Sequence, residues 1–199
     1  MKIIVSFILS TILLCSCKTA EPLKLRATSA EIIKLSEVRD IWAAVQNASG
    51  ANKQAIDLLK LNFSSENDLL RFARSEEVHY SFEANLCDAS GRQSARLFIL
   101  PTLRAGNLSI DGAASNPLKD LQTLREKDNS IVYTLFVPIS GDELTRLLDG
   151  VSIADRVPFF DIQKSNENIC LQLGAARMWT GELTKSNVVM FSHAKISGK

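Results

Sequence analysis

The sequence predicts an α+β fold: N-terminal helices packed on a mainly antiparallel β-sheet, with short helical insertions. Three observations predict it. Early in the chain, Ile32, Leu35, Val38, Ile41, Trp42 and Val45 recur at three- and four-residue intervals, the stripe of an amphipathic helix. At Val78 the period changes from 3.6 to 2, the mark of a half-buried strand. Beyond it, short apolar runs alternate with turns rich in Ser, Asn, Asp and Gly, which suits hairpins rather than parallel crossovers.

The elements follow in order. Thr28-Ser29-Ala30-Glu31 has capping-box spacing, in which hydroxyl and carboxylate satisfy free backbone donors at a helix start. Gly50 closes that helix by tolerating positive φ. Ala55, Ile56, Leu59 and Phe63 predict a second helix, and Ser65 to Asp68 cap a third with Leu69, Leu70 and Phe72 inward. Val78, Tyr80, Phe82, Ala84 and Leu86 then alternate with His79, Ser81, Glu83, Asn85 and Cys87. Asp88 to Gly91 is a turn, and Ala95 to Leu100 is the return strand, stopped by Pro101. Leu108 to Ile110 adds a short strand. Asn116-Pro117 opens a helix, and Ile131 to Val137, nearly all apolar, is a central strand. Ser140-Gly141-Asp142-Glu143 caps a short helix through Leu144, Leu147 and Leu148. Phe159 to Gln163 and Ile169 to Leu173 flank a turn at Ser165 to Asn168. Met178 to Leu183 and Val188 to Phe191 complete the sheet, and a polar tail runs from His193 to Lys199.

The N-terminus carries the most specific signal. Lys2 precedes an apolar run from Ile3 to Leu14. That run is too short to span a bilayer, which takes about 20 residues, and fits the core of a cleaved signal peptide. Leu14-Cys15-Ser16-Cys17 follows, and resembles the lipobox of bacterial lipoproteins. The resemblance implies that Cys17, with small Ser16 before it, is acylated and becomes the first residue of the mature protein. The alternative is an ordinary secretory signal that leaves Cys17 unmodified. Lys18, where an Asp would resemble an inner-membrane retention signal, implies the outer membrane, with the body facing the periplasm. On this reading residues 1–16 are signal, 17–27 form the lipidated Cys and tether, and 28–199 form one domain. Its helical layer covers 28–76, its sheet-rich layer 77–192 and its tail 193–199. Ten extended residues reach about 35 Å at most, which keeps the body near the membrane.

Lys2 is the only charged side chain before Cys17, so the mature chain keeps 22 of 23 basic groups against 22 acidic ones. Phosphate-binding surfaces need a basic excess or stripe, which argues against nucleic acid as a partner. Cys87 and Cys170 remain, and an even pair in an oxidising compartment forms a disulfide most simply, two free thiols being the alternative.

Signatures of catalysis are sparse. His79 and Cys87 share a strand face but lie eight residues apart, about 26 Å along an extended strand. The sequence contains no Gly-x-Ser-x-Gly elbow, no His-Glu-x-x-His helix, no clustered zinc ligands and no Gly-rich phosphate loop. Glu76-Glu77 reads as a solvated edge. The expectation is therefore a non-enzyme without metal or cofactor. The residues that suit recognition are Arg156, Phe159, Arg177, Met178 and Trp179, since Arg and Trp are enriched where binding energy concentrates.

A small lipoprotein of this kind also resembles, in signal, size and architecture, the immunity lipoproteins that neutralise secreted antibacterial effectors such as lipases or cell-wall hydrolases. That implies a protein partner, a toxin enzyme, whose active site is occluded. Two further readings stand beside it: an accessory structural lipoprotein of an envelope assembly or secretion machine, and an envelope enzyme with an unrecognised carboxylate site. For the cysteines, alkylation of the mature protein before and after reduction should differ by two adducts; identical masses would leave the pair as free thiols.

Overall fold

Period-two segments dominate the computed structural model, which describes residues 23–38, 55–69, 78–100, 103–106, 108–109, 125, 129–147, 160–177 and 183–196. Ten strands form two antiparallel sheets among these residues. In the first, β1 (Leu25–Lys34), β2 (Asp57–Ser65), β7 (Ile131–Pro138), β5 (Arg104–Ala105) and β6 (Leu108–Ser109) lie side by side in that order. In the second, β10 (Val189–Phe191), β8 (Asn168–Arg177), β3 (Val78–Cys87) and β4 (Gln93–Leu97) are neighbours, and β9 (Leu183–Lys185) also pairs with β8. The described helices are α1 (Gly141–Leu147) and the single turn α2 (His193–Ile196).

This corrects the expected α+β architecture: the described part of the chain is a two-sheet β structure, and among the described residues no N-terminal helices lie on the sheet. Two of the predicted helices are strands. In β2, Leu59, Leu61 and Phe63 are buried and alternate with Lys60, Asn62 and Ser64, which belong to the other face. The helical reading arose because Ile56, Leu59 and Phe63 also fall at helical spacing. Leu58 is buried as well, because that end of the sheet is covered on both faces: Leu58, Pro138 and Phe136 are all buried on the side opposite Leu59. In β1 the expected capping box lies in a strand. The register shifts between Ala27 and Ser29, around Thr28, and Glu31 pairs across to Lys60 at 2.6 Å. Pairing along a whole neighbouring strand outweighs a local cap, which contributes only about 1 kcal/mol. The stripe ends in a 3-10 turn, Leu35–Glu37, whose Glu37 carboxylate accepts the Lys34 N–H at 2.9 Å. Ile41, Trp42, Val45, Gly50 and the Asn116-Pro117 helix lie outside the described residues.

The second half follows its pattern more closely. β3 keeps Phe82, Ala84 and Leu86 on the core side, and the Asp88–Gly91 turn returns to β4. β7 is central in its sheet. The α1 cap forms as its spacing requires, with the Glu143 N–H donating to Ser140 Oγ at 3.1 Å. Three expectations need correction. The stretch around Phe160 makes a bridge from Asp161 to Ser140 and then a turn, because Asp161 accepts the Gln163 and Lys164 N–H groups. The turn at Ser165 therefore does not join a hairpin. The tail is not all loose either: His193 opens α2 by donating its N–H to Asn168 Oδ1 at 3.1 Å, and Ile196 is buried.

The core fills the space between the sheets. Phe63 stacks on Tyr133 within the first sheet and meets Phe82 of the second, with ring centroids 5.7 and 6.0 Å apart. Buried phenols need a partner. Tyr133 and Tyr80, one from each sheet, share one: the Leu69 N–H donates to Tyr133 Oη at 2.9 Å, and the Tyr80 hydroxyl donates to the Leu69 carbonyl. Burial pushes the Tyr133 phenol above its ordinary range.

The sheets are also joined at one edge. β9 and β10 pair with the same side of β8 and are separated by Ser186-Asn187-Val188. Ser186 holds its place with side chain and backbone together: Leu173 N–H donates to Ser186 Oγ at 2.9 Å, and Ser186 N–H donates to the Leu173 carbonyl at 2.8 Å. Asn187 turns to β1. Its Oδ1 accepts the Leu25 N–H at 2.7 Å and its Nδ2 donates to the Leu25 carbonyl at 2.9 Å. The amide thus supplies β1 with the donor and acceptor of one neighbouring strand residue. Replacing Asn187 with Leu should strand both Leu25 groups and destabilise the fold by about 2–4 kcal/mol, at about 1–3 kcal/mol for each buried group left unsatisfied, discounted for partial exposure. Urea unfolding measures this; a loss below about 0.5 kcal/mol would show that the clamp does not stabilise the fold.

Candidate functional site

Cys87 and Cys170 are joined by a disulfide, with Cα atoms 5.9 Å apart. Cys87 lies opposite Asn168 and Cys170 opposite Asn85, so the bond runs diagonally between adjacent strands of one sheet. Both cysteines alternate with Leu86 and Ile169 and lie on the opposite face from them, as the alternation predicted for Cys87, yet both are buried. The bond closes a sequence separation of 83 residues, which the chain-entropy model values at about 4.5 kcal/mol. With its sulfur so committed, Cys87 is no nucleophile for His79.

Of the residues expected to recognise a partner, Arg156, Phe159, Met178 and Trp179 lie outside the described residues, as does Cys17. Arg177 closes β8, where its backbone faces Val78. Phe160, next to Phe159 in the sequence, belongs to the core at 3% exposure, and its carbonyl accepts the Gly141 N–H. Among the described residues no group of three His, Cys, Asp or Glu could hold a metal, and no helix is long and apolar enough to cross a membrane.

Two surfaces stand out instead. The first lies on the outer side of the five-stranded sheet. Ser29, Asn62, Thr134, Arg104 and Ser109 occupy one register row across all five strands. Asn62 Nδ2 donates to Ser29 Oγ at 2.8 Å, and Thr134 Oγ1 donates to Asn62 Oδ1 at 2.7 Å. Arg104 sits over the Phe136 ring, 5.8 Å from its centre. This polar ladder contributes cross-strand pairing, with Ser29 exposed at the β1 end and Thr134 buried in the middle.

The second surface is the interrupted edge. Leu183, Val188 and Met190 are 54%, 46% and 38% exposed, the large apolar side chains that the described residues leave open to solvent. Leu183 faces Ala176 and Met190 faces Cys170, which puts both on the outer side of the second sheet. Gly174 belongs to the same face: a Cβ there would meet Ser81 Oγ at 2.8 Å and the Leu183 side chain at 3.5 Å, so glycine lets Leu183 lie close to the strand. The break at Ser186 to Val188 interrupts the straight backbone edge that another strand would need for pairing. The edge therefore offers side chains rather than a ladder. Sequence reasoning missed this surface. A signal was present in Ser186-Asn187, two turn-forming residues just before the apolar run Val188 to Phe191, but the β1 partner lies 162 residues away.

No family model matches the chain, and no curated protein matches it either.

Two turns and α1 hold perturbed carboxylates. Asp88 lies below its ordinary value because Ser90 donates its hydroxyl, with Arg92 N–H adding to it. Asp161 is lowered by the Lys164 ammonium 2.8 Å away, which is raised in turn. Burial raises Glu143, against the opposing pull of Arg146. The two lowered aspartates stabilise the fold above their unfolded pKa, near 4, and that contribution is lost as pH falls through their lower folded values. Glu143 acts in the other direction: its contribution is present below its unfolded pKa and lost as pH rises through its raised folded one. Thermal midpoints measured from pH 5 downward should fall. Asp88→Asn with Asp161→Asn should flatten that fall while lowering the midpoint at pH 7; an unchanged acid slope would contradict the assignment.

Proposed function

We propose that the chain is a lipid-anchored binding protein of the bacterial envelope, of the immunity or inhibitor kind, whose body occludes the active site of a secreted antibacterial effector. The observation that carries this reading is the shortness of the path from anchor to rigid body. Cys17 is the acceptor in Leu14-Cys15-Ser16-Cys17, and Leu23, six residues on, is already fully buried. Residues 23–27, read from sequence as tether, belong to the body, since β1 starts at Leu25. The free reach falls to about 20 Å.

Occlusion favours such a body. A partner surface that is ordered before contact loses little entropy on binding, and here the two sheets are joined by the Asn187 clamp and the tyrosine pair on Leu69, while a disulfide braces β3 against β8 within the second sheet. Exposed Ser29 and Leu183, with half-buried Asn62 and Arg104, are the kinds of side chains that a protein partner meets. Anchoring in the outer membrane, facing the periplasm, would raise the local concentration of the inhibitor where an incoming lipase or cell-wall hydrolase acts.

Cells lacking the protein should be killed when the cognate effector reaches the periplasm, while parental cells survive. Cys17→Ala should shift the protein to the soluble periplasmic fraction and weaken protection at equal abundance. Equal survival with and without the protein would overturn the proposal, as would its purification in fixed stoichiometry with a membrane assembly.

A further inference from the structure

The place where the chain enters its fold also exposes apolar surface. The Leu23 carbonyl accepts the Asn187 N–H at 3.4 Å, and Leu25 holds the Asn187 side chain. Val188, 46% exposed, is the next residue, and Met190, 38% exposed, follows on β10. Lys24 and Lys185, both exposed, lie within three residues of this joint in the chain. An acyl chain on Cys17 therefore holds the joint within about 20 Å of the lipid interface, whatever the orientation of the rest.

We propose that the joint between β1 and the β9–β10 edge is a membrane-contact surface: Val188 and Met190 meet the lipid interface, and Lys24 and Lys185 lie against its anionic headgroups. The inference rests on the acylation of Cys17 for its geometry. Each element of the surface matches the chemistry of an interface. Apolar side chains gain by leaving water for the headgroup–acyl boundary. A basic residue close to an anionic leaflet is drawn to it electrostatically. The interrupted edge excludes strand addition, so a fluid surface covers these side chains better than a second β-strand would. Docked this way, the sandwich has a fixed orientation. The β1 and β10 edge faces the bilayer, and the opposite edge, with β4 and its Asp88–Gly91 turn, is directed to the aqueous side.

The test uses the full acylated protein in vesicles of phosphatidylethanolamine and phosphatidylglycerol. Carbene photolabelling, resolved by mass spectrometry, should show severalfold less modification at Val188 and Met190 than in the Cys17→Ala protein free in solution, with Gln93 and Arg96 on β4 unchanged. Intact mass separately reads the acyl group. Equal labelling in both states, with the acyl mass present, overturns the surface and leaves the anchor standing. An absent acyl mass overturns the anchor, and the Cys17→Ala chain then decides the surface. Its binding to the same vesicles should be weak, salt-sensitive and about tenfold weaker still in Val188→Asp, the scale of one lost valine contact. Absence of binding there overturns the proposal, as does protection of Val188 in lipid-free solution that rises with protein concentration, which would assign the surface to a second copy of the chain.

Discussion

The structure depends on two hydrogen bonds made by one side-chain amide. Asn187 sits where the edge strand of the second sheet breaks, and it pairs with both backbone groups of Leu25 on the first strand of the other sheet. Sandwiches are held by apolar contact between their faces, which is non-directional. Such contact fixes the separation of two sheets better than their alignment. A directional joint at one edge supplies the missing specification. The tyrosine pair supplies another: Tyr133 and Tyr80 hold the N–H and the carbonyl of the same residue, Leu69, from opposite sheets. Between these points Phe63, Phe82 and Tyr133 fill the interior.

The disulfide has a different task. It crosses between β3 and β8, which are already hydrogen-bonded neighbours. It adds nothing to the contact between the sheets and reinforces one ladder near its turn. In the chain-entropy picture its value lies in the unfolded state, where it restricts a long loop. The joint orders the native state while the disulfide penalises the alternative, so the two add rather than duplicate.

Legibility in the sequence varied with the range of the interaction. The β3 strand, its turn, the central strand β7 and the α1 cap were readable because their determinants are local: alternation, turn residues and a serine three positions before a glutamate. The first two strands were misread because apolar spacing is ambiguous when both faces are covered. Leu58 and Leu59 are both fully buried, which blurs the alternation of Leu59, Leu61 and Phe63. In β1, Glu31 looks like a helix cap until Lys60 is known to lie across from it. The polar row and the Asn187 joint had no local signature, since each is assembled from strands far apart in the chain. The candidate recognition residues came from composition alone, and of these the fold places Arg177 at the end of β8.

The joint also has a consequence for how the fold is reached. Leu25 and Asn187 are separated by 162 positions, so the first strand waits for nearly the last. Folds rich in such distant pairings form slowly, because a large loop must close before the contact rewards it. Until residue 187 arrives, β1 keeps an open edge beside its pairing with β2, with the Leu25 amide and carbonyl unmatched. A nascent or truncated chain therefore exposes a sticky strand at its leading end, the part of the molecule made first. Survival of that interval calls for a chaperone, for rapid completion of the chain, or for solubility contributed by Arg26, Glu31 and Lys34 along the strand itself.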